Sequence, residues 1–309
     1  MVTATTVPWF TLNNGVKIPA IGHGAYAPAI EEAQSRVKDW ILTALKAGYR
    51  HIDTAQGYGT ERAVGEAIKA SGIPREEIFI TTKLQWNHQH IVAQTFEESL
   101  KALDVEYIDL FLIHWPQAVF YDKGNSFPKN PDGSLKVTDE VNFNQAWAEL
   151  EKIYATGKVK AIGVSNFSIK TLEQLFTTAK IVPAVNQVEL HPYLAQEDLR
   201  EYSAKKGIIL TAYTPSGYDT VRNDPLILSL ATKYNATPTQ VILAWHIARG
   251  VVVVPKSERE ERQKENITLP ELDAEDISKI SALDRGKRLC NYPDEKGQVY
   301  GWTVEQLGW

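Results

Sequence analysis

The sequence predicts a (β/α)8 barrel. Along its 309 residues, eight short apolar runs of the kind found in buried strands recur. Amphipathic stretches such as EEAQSRVKDWILTALKAG separate these runs, with apolar residues every three to four positions, as in helices packed on a sheet. A doubly wound open sheet is the main alternative, but the G-x-G-x-x-G signature typical of that fold is absent from the chain.

The predicted elements follow in chain order. TLNNGVKIP predicts a small N-terminal hairpin, in which Asn14 and Gly15 supply the positive φ angles of a tight turn. The barrel strands are then predicted at 20–24, around 52, and at 78–81, 108–113, 159–164, 184–188, 208–212 and 251–254. Gly48, Gly157 and Gly207 follow helical stretches where a left-handed cap is expected.

Two long segments lack a strand or helix pattern. Segment 115–142 follows the fourth predicted strand and is rich in Pro, Gly, Asn and Asp, so we expect it to fold over the barrel mouth. Segment 284–309 has no helical periodicity but contains two tyrosines and two tryptophans. No linker, charge block or low-complexity tract divides the chain, and a single domain over residues 1–309 is predicted.

The composition is typical of a soluble globular protein, with 43% hydrophobic and 23% charged residues. The net charge of −5 does not suit nucleic acid, and the apolar runs are too short to cross a bilayer, so neither partner is expected. A single cysteine, Cys290, leaves no internal disulfide and favours a reducing compartment. The first residues lack the features of a signal peptide. We therefore expect a cytoplasmic protein.

Four polar residues lie at or just after the ends of predicted strands, far apart in the sequence. Asp53 ends the second strand, and Tyr58 follows it in a turn flanked by glycines. Lys83 ends the third strand and His114 the fourth. Because the C-terminal ends of all barrel strands open on one face, where barrel enzymes react, the fold would gather the four in one pocket.

These four residue types suit the reduction of a carbonyl group. That reaction needs a hydride at carbon and a proton at oxygen, and Tyr58 would give the proton if its pKa, about 10 in isolation, is brought nearer to neutral. The Lys83 ammonium would stabilise the phenolate and lower that pKa. Asp53 would keep Lys83 charged and in place, and His114 would orient the substrate oxygen.

Six motifs then occur in the order in which aldo-keto reductases have them. DTAQGYGTE contains that family's Asp and Tyr, TTKL and LIHWP contain its Lys and His, and GKVKAIGVSNF, NQVELHP and VVPKS match later signatures. From about residue 12 to about residue 283, the chain resembles an aldo-keto reductase. The resemblance implies reduction of an aldehyde with NADPH and without a metal, with NADH as a weaker alternative. It extends to fungal members that act on glyceraldehyde, glycerol, aldoses or galacturonate, so a sugar or uronate aldehyde is an expected substrate.

The same resemblance assigns residues to the cofactor. It implies that Ser165, Asn166 and Gln187 hydrogen-bond the nicotinamide carboxamide and that Tyr213 stacks on the ring. The residues implied to cover the pyrophosphate are Thr214, Pro215 and Ser216. The residues implied to hold the 2′-phosphate are Lys256, Ser257 and Arg262. The residues implied to contact the adenine are Glu265 and Asn266. Glu258, within the phosphate-binding stretch, would instead favour a ribose hydroxyl.

Aromatic residues after the strand ends are expected to form the wall of the substrate pocket. GAY stands where the family usually has GTW, so Tyr26 replaces a tryptophan. TKLQWN has one residue more than the usual TKLW form, which moves Trp86. Trp115 and Phe120 complete the predicted wall.

Three other functions remain open at this point. A glycerol or alcohol dehydrogenase would use the same residues in the oxidative direction. A regulatory barrel of the channel β-subunit type would bind the cofactor with little turnover, and an aldolase would form a Schiff base at Lys83. The complete set of four strand-end residues argues against the regulatory barrel. No helix carries an obvious interface heptad, so a monomer or weak dimer is expected.

Overall fold

A computed structural model of the protein describes residues 7–309. Two sequence predictions fall partly on residues 1–6, which lie outside the described residues. They are the absence of a signal peptide and the start of the single domain. The first described element is an antiparallel hairpin of β1 (Trp9–Thr11) and β2 (Lys17–Pro19). The predicted N-terminal hairpin is therefore confirmed.

The turn of this hairpin differs from its prediction. Gly15 has a φ of +86°, but Asn14 is not among the described residues with positive φ. The Gly15 amide donates to the Leu12 carbonyl at 2.9 Å, and the Leu12 amide donates to the Val16 carbonyl at 2.8 Å. The prediction for Asn14 was wrong because the loop between these residues is longer than a two-residue turn, and such a loop needs only one left-handed residue.

Eight parallel strands form the central sheet, and neighbours in the sheet are neighbours along the chain. They are β3 (His23–Gly24), β4 (His51–Asp53), β5 (Phe79–Leu84), β6 (Ile108–Ile113), β7 (Val159–Ser165), β8 (Val185–Glu189), β9 (Ile209–Tyr213) and β10 (Val252–Val253). A parallel bridge joins Ile21 to Val253, and the Val253 amide donates to the Ala20 carbonyl at 2.9 Å. The sheet thus closes on itself. The predicted barrel is confirmed, and each strand overlaps one predicted run.

Helices pack around this sheet. In chain order they are α1 (Glu31–Ser35), α2 (Val37–Ala47), α3 (Glu61–Ser71), α4 (Val92–Leu103), α5 (Phe143–Ala155), α6 (Ile169–Phe176), α7 (Glu197–Lys205), α8 (Tyr218–Arg222), α9 (Pro225–Lys233), α10 (Pro238–Ala248), α11 (Glu260–Asn266), α12 (Ala274–Ser281) and α13 (Val304–Leu307). The main core fills the space between helices and strands and includes Trp147 of α5, Trp245 of α10 and Phe111 of β6, all of them buried. A second buried cluster joins Leu12 and Ile18 to the first residues of β5, β8 and β10, so the hairpin covers the N-terminal end of the barrel.

Local sequence explains where several helices begin and end. The Asn142 side chain accepts from the backbone of Gln145 while the Gln145 side chain accepts from the Asn142 amide, and this capping box starts α5. The φ angles of Gly48, Gly157 and Gly207 are +114°, +77° and +74°. All three predicted left-handed caps are therefore confirmed.

The two irregular segments pack on each other. Segment 115–142 folds back on itself through bridges such as Val119 with Val137. Its Gln117 side chain donates to the Val299 carbonyl at 3.3 Å, in the C-terminal segment. That segment contains a short hairpin, β11 (Gln298–Val299) and β12 (Trp302–Thr303), and the single turn α13, none of which the sequence pattern predicted. Thr303 caps α13, which is too short to produce a periodic pattern.

Candidate active site

The four strand-end residues all lie at the C-terminal end of the barrel. Asp53 is the last residue of β4, and Tyr58 ends the 3₁₀ turn Gln56–Tyr58 that follows. Lys83 is the last residue but one of β5, and His114 comes directly after β6. Parallel pairing of β4, β5 and β6 sets these ends side by side.

Lys83 and Asp53 form a buried ion pair. Lys83 Nζ donates to Asp53 Oδ1 at 2.7 Å and to the Thr54 carbonyl at 2.8 Å, and the Lys83 side chain is fully buried. The second carboxylate oxygen of Asp53 accepts from Gln187 Nε2 at 2.6 Å. Burial disfavours the ammonium, but Asp53 and Tyr58 outweigh it and raise the pKa of Lys83. Lys83 is therefore a cation at neutral pH.

Tyr58 lies against this cation. Lys83 Nζ is 5.0 Å from the centre of the Tyr58 ring, and the His114 ring packs edge-on at 5.5 Å between centroids. Burial raises the pKa of Tyr58 more than Lys83 lowers it, so the net shift is upward. The expected net lowering was wrong, because a sequence does not show that other segments of the chain partly bury Tyr58. The Tyr58 hydroxyl is consequently protonated at neutral pH.

His114 is an uncharged imidazole. Burial, with a further contribution from the Lys83 charge, lowers its pKa well below the ordinary value. Its backbone carbonyl accepts from Asn166 Nδ2 at 2.9 Å. A neutral imidazole beside a protonated phenol places an N–H and an O–H group next to each other at the end of the barrel.

Polar side chains from β7, β8 and β9 adjoin these four. The Tyr213 hydroxyl donates to Asn166 Oδ1 at 2.6 Å, and Asn166 Nδ2 also donates to Ser165 Oγ at 3.2 Å. Ser165 Oγ in turn donates to the Gln187 carbonyl at 2.8 Å. Because Gln187 Nε2 binds Asp53, this cluster is linked directly to the buried ion pair. The structure thus brings together residues that the sequence places more than a hundred positions apart.

The loop after β9 is tightly folded. Thr214 and Gly217 have φ angles of +50° and +63°. The Pro215 carbonyl accepts from His246 Nε2 at 3.0 Å, and Ser216 Oγ accepts from Arg222 Nη1 at 3.1 Å. These bonds tie the loop to α10 and to α8, so its path along the barrel mouth is well defined.

Two buried side chains hold the backbone of the segment after β10 in place. Both His23 Nε2, at 2.9 Å, and Gln263 Nε2, at 2.8 Å, donate to the Ser257 carbonyl, and both side chains are fully buried. The side chain of Lys256, the residue before Ser257, is one third exposed. In α11, Arg262 is exposed, Glu265 is partly buried and Asn266 is buried. The hydrogen bond from Arg222 lowers the pKa of Asp219, and the charges of Arg222 and of Arg262 in α11 lower it further.

Aromatic rings surround the approach to Tyr58. The Tyr26 ring packs edge-on against it at 5.2 Å, and Tyr26 is half exposed. Trp86 and Trp115 are nearly buried, and each lies 4.9 Å from the ring of Tyr300. Within residues 7–309, Phe120 takes no part in these ring contacts. Its ring contacts the ammonium of Lys136 instead, at 3.6 Å.

Residues 20–285 match the model of the Aldo/keto reductase family. The chain is 43% identical to a glycerol 2-dehydrogenase (NADP(+)) of Saccharomyces cerevisiae, over 92% of this chain and 94% of that protein. It is 42% identical to an aldehyde reductase of the same organism, over 91% and 93% of the two chains. It is 39% identical to a D-galacturonate reductase of Hypocrea jecorina, over 94% of each.

The chain belongs to the aldo/keto reductase family. The resemblance predicted from the six motifs is confirmed.

In this aldo/keto reductase, the sequence pattern missed a buried carboxylate at the end of β8. Glu189 Oε1 accepts from the amides of Leu289 and Cys290 at 2.6 and 3.1 Å and contacts His191 Nε2 at 3.1 Å. Burial opposes the charge, but these hydrogen bonds outweigh it and lower the pKa of Glu189. An acidic residue within a buried strand was the available signal. Glu189 anchors the C-terminal segment over the site.

That segment supplies further residues to the mouth. Asn291 Nδ2 donates to the Tyr213 hydroxyl at 2.8 Å, and the Tyr300 hydroxyl donates to Asn291 Oδ1 at 3.1 Å. The ring of the last residue, Trp309, lies 6.0 Å from Trp115 and stacks on the Arg288 guanidinium at 3.4 Å. The sequence contains no signal that places Asn291, Tyr300 or Trp309 at the barrel mouth, because the C-terminal segment has no periodic pattern.

Within the described range, no three His, Cys, Asp or Glu side chains are arranged to hold a metal ion. Every helix there is also too short or too polar to cross a bilayer.

Proposed function

We propose that this aldo/keto reductase reduces an aldehyde to an alcohol with NADPH. The observation that carries the proposal is the buried Lys83–Asp53 pair beneath a protonated Tyr58, with neutral His114 alongside. A positive charge that is fixed next to a phenol stabilises the phenolate that forms as the proton leaves. Tyr58 therefore carries its proton before the reaction starts, and the charge of Lys83 assists the release of that proton during the reaction.

The roles of the four residues follow from their charge states. Tyr58 donates its proton to the carbonyl oxygen, and Lys83 stabilises the resulting phenolate. Asp53 offsets the cost of burying the ammonium and holds it in position. His114 donates a hydrogen bond to the same carbonyl oxygen, which aims the substrate at Tyr58. NADPH, when bound, supplies the hydride to the carbonyl carbon.

The residues present fit a nicotinamide dinucleotide. Ser165, Asn166 and Gln187 place hydroxyl and amide groups next to the reacting residues, as a carboxamide requires, and the Tyr213 ring adjoins them. The end of β3 also lies close to the segment after β10. A Cβ added at Gly24 would lie 3.0 Å from the Val254 carbonyl and 3.6 Å from Lys256 Cβ.

For the rest of the cofactor, we propose that Thr214, Pro215 and Ser216 cover the pyrophosphate. Lys256, Ser257 and Arg262 would bind the 2′-phosphate, and Glu265 and Asn266 the adenine. Cations and a hydroxyl at one end of the site suit the phosphate dianion and favour NADPH over NADH.

The substrate proposal is an aldehyde that carries hydroxyl groups, such as a sugar or uronate aldehyde. The aromatic wall of Tyr26, Trp86 and Trp115 suits the carbon chain, while the Asn291 amide and the Tyr300 hydroxyl offer hydrogen bonds. The names of the yeast and Hypocrea relatives, which refer to glycerol, aldehydes and galacturonate, support this class. Phe120 is proposed to lie at the outer edge of this pocket.

Tyr58→Phe tests the central claim. The variant keeps the ring but lacks the hydroxyl, so it should bind NADPH as tightly as the native protein and lose turnover by a factor of about 10³ or more. Binding is measured by quenching of tryptophan fluorescence and turnover by NADPH oxidation with a panel of aldehydes, aldoses, uronates and keto acids. Turnover within tenfold of the native rate would refute Tyr58 as the proton donor.

A second panel, of glycerol and other alcohols with NADP⁺, tests the oxidative alternative. Faster turnover of glycerol than of any aldehyde would favour a dehydrogenase role.

We also propose that residues 1–309 form a single domain that acts in the cytoplasm as a monomer or weak dimer. The barrel strands, from His23 to Val253, span most of the chain, and described residues on either side, such as Leu12 and Ile280, belong to the same buried clusters as the barrel.

A further inference from the structure

A chain of ion pairs crosses the surface above Ser257. Lys256 Nζ donates to Glu258 Oε1 at 2.8 Å, and Glu258 Oε2 lies 3.2 Å from Arg36 Nη2. Arg36 comes from the junction of α1 and α2, far from the other two in sequence. The side chains of Lys256, Glu258 and Arg36 are 33%, 34% and 57% exposed, so a solute can reach all three.

Two parts of this cluster differ in how firmly they are held. The backbone at Ser257 is fixed by the buried donors of His23 and Gln263, and Lys256 Nζ lies 5.5 Å from the centre of the Trp40 ring in α2. The Glu258 carboxylate, by contrast, is held by the two cations alone among the contacts described. It can therefore turn away without disturbing the fold.

Glu258 is an anion in this position. Its hydrogen bond from Lys256 lowers its pKa more than partial burial raises it, and the charge of Arg36 lowers it further. The proposed 2′-phosphate site requires the Lys256 ammonium that Glu258 holds in the free protein. A carboxylate and a phosphate repel each other at one ammonium, whereas a ribose hydroxyl can donate a hydrogen bond to the carboxylate.

We propose that Glu258 competes with the 2′-phosphate for Lys256 and so reduces the preference for NADPH over NADH, and that Arg36 is an additional cation of the phosphate site. This inference rests on the proposed function. NADPH binding turns Glu258 away from Lys256, and the phosphate takes its place between Lys256 and Arg36. NADH leaves the ion pairs in place. Neither Glu258 as a competitor nor Arg36 as a ligand follows from the family motif at 256, 257 and 262.

The test uses two nucleotides that differ only in the 2′-phosphate. Adenosine 2′,5′-bisphosphate and adenosine 5′-monophosphate are titrated into the full-length native protein and into Glu258→Gln by calorimetry. Glu258→Gln should tighten binding of the bisphosphate about fivefold relative to the monophosphate, the effect expected for removing one partly exposed like charge. Arg36→Gln should weaken the bisphosphate by a similar factor and leave the monophosphate within about twofold.

Glu260→Gln is the matched control. Glu260 is two residues further on, is paired with Lys264 at 2.6 Å, and its replacement changes the net charge equally. It should leave the ratio of the two affinities within about twofold of native. An unchanged ratio in Glu258→Gln, or an equal change in Glu260→Gln, would overturn the inference. If the native protein binds neither nucleotide, the proposed function fails as well. If it binds both and reduces aldehydes, but Glu258→Gln leaves the ratio of the two affinities unchanged, only the inference fails.

Discussion

At the scale of single residues, Lys83 shows how burial and charge are balanced. A fully buried ammonium is costly unless its partner is also buried and its donors are used, and Asp53 and the Thr54 carbonyl meet both conditions. The pair therefore adds little to stability by its presence, but removing one member leaves an unpaired charge in the interior.

Asp53→Asn should lower the free energy of unfolding by about 3–5 kcal/mol. Asn keeps the shape of Asp53 but removes the negative charge that offsets the burial of Lys83. Urea denaturation at pH 7 measures the loss. Asp104→Asn is the control, because the Lys69–Asp104 pair is 81% and 77% exposed and should be worth less than about 0.5 kcal/mol. Equal losses in the two variants would contradict the assignment of a buried ion pair.

The residue scale also shows the limit of a motif. The Asp53, Tyr58, Lys83 and His114 positions were predictable because each follows a recognisable strand, and barrel geometry brings strand ends together. The raised pKa of Tyr58 was not predictable, since it depends on how far the rest of the fold buries the phenol. Motif spacing specifies which groups meet but not the dielectric environment in which they meet.

At the scale of elements, the loop between β9 and α8 combines tight backbone with close packing. A Cβ on Gly217 would lie 2.2 Å from Val221 Cγ2 and 2.7 Å from Val221 Cβ. The φ of +63° is also costly for any residue with a side chain. Gly217 is therefore required by its conformation and by the helix that follows it.

Gly217→Ala should destabilise the protein by about 2–4 kcal/mol and weaken NADPH binding, because the loop must shift along the barrel mouth. Gly250→Ala separates the two causes: Gly250 has a φ of +72°, but a Cβ there would have nothing within 4 Å. It should lose only about 1 kcal/mol. Thermal unfolding and fluorescence titration supply the measurements. If both variants behave alike, the contact with Val221 is unimportant.

At the scale of the whole molecule, several histidines are buried without charge. Burial lowers the pKa of His23 and His51 to about 4 and that of His246 to about 3. His114 is shifted in the same direction. In the unfolded chain each titrates near 6.5. Between these values the unfolded chain binds more protons than the folded protein, so stability falls as the pH falls.

The free energy of unfolding should therefore be nearly constant between about pH 7 and 8 and decline below about 6.5. Each histidine contributes up to about 1.4 kcal/mol per pH unit between about 6 and 4.5. Urea denaturation at half-unit intervals gives the slope. His51→Gln, which retains hydrogen-bonding groups near Thr81 and Pro19, should reduce the slope by close to one proton. A slope that is the same in the variant and in the native protein would show that His51 titrates normally.

The sequence by itself determined the barrel, its order of strands, three left-handed glycine caps and the family. Each of these depends on local pattern: apolar periodicity, left-handed glycines and short motifs that keep their spacing. The hairpin turn at Asn14 and the helix α13 were not predictable, because one-turn features produce no period.

Only the tertiary structure decided the environment of the site. Tyr300 and Trp309 reach the mouth because Glu189, far away in the sequence, anchors the segment that carries them. Arg36 meets Glu258 because α2 packs against α11. Such contacts depend on packing between distant segments, and burial and charge at the site depend on all of them together, whereas the order of the strands depends on patterns that each segment carries alone.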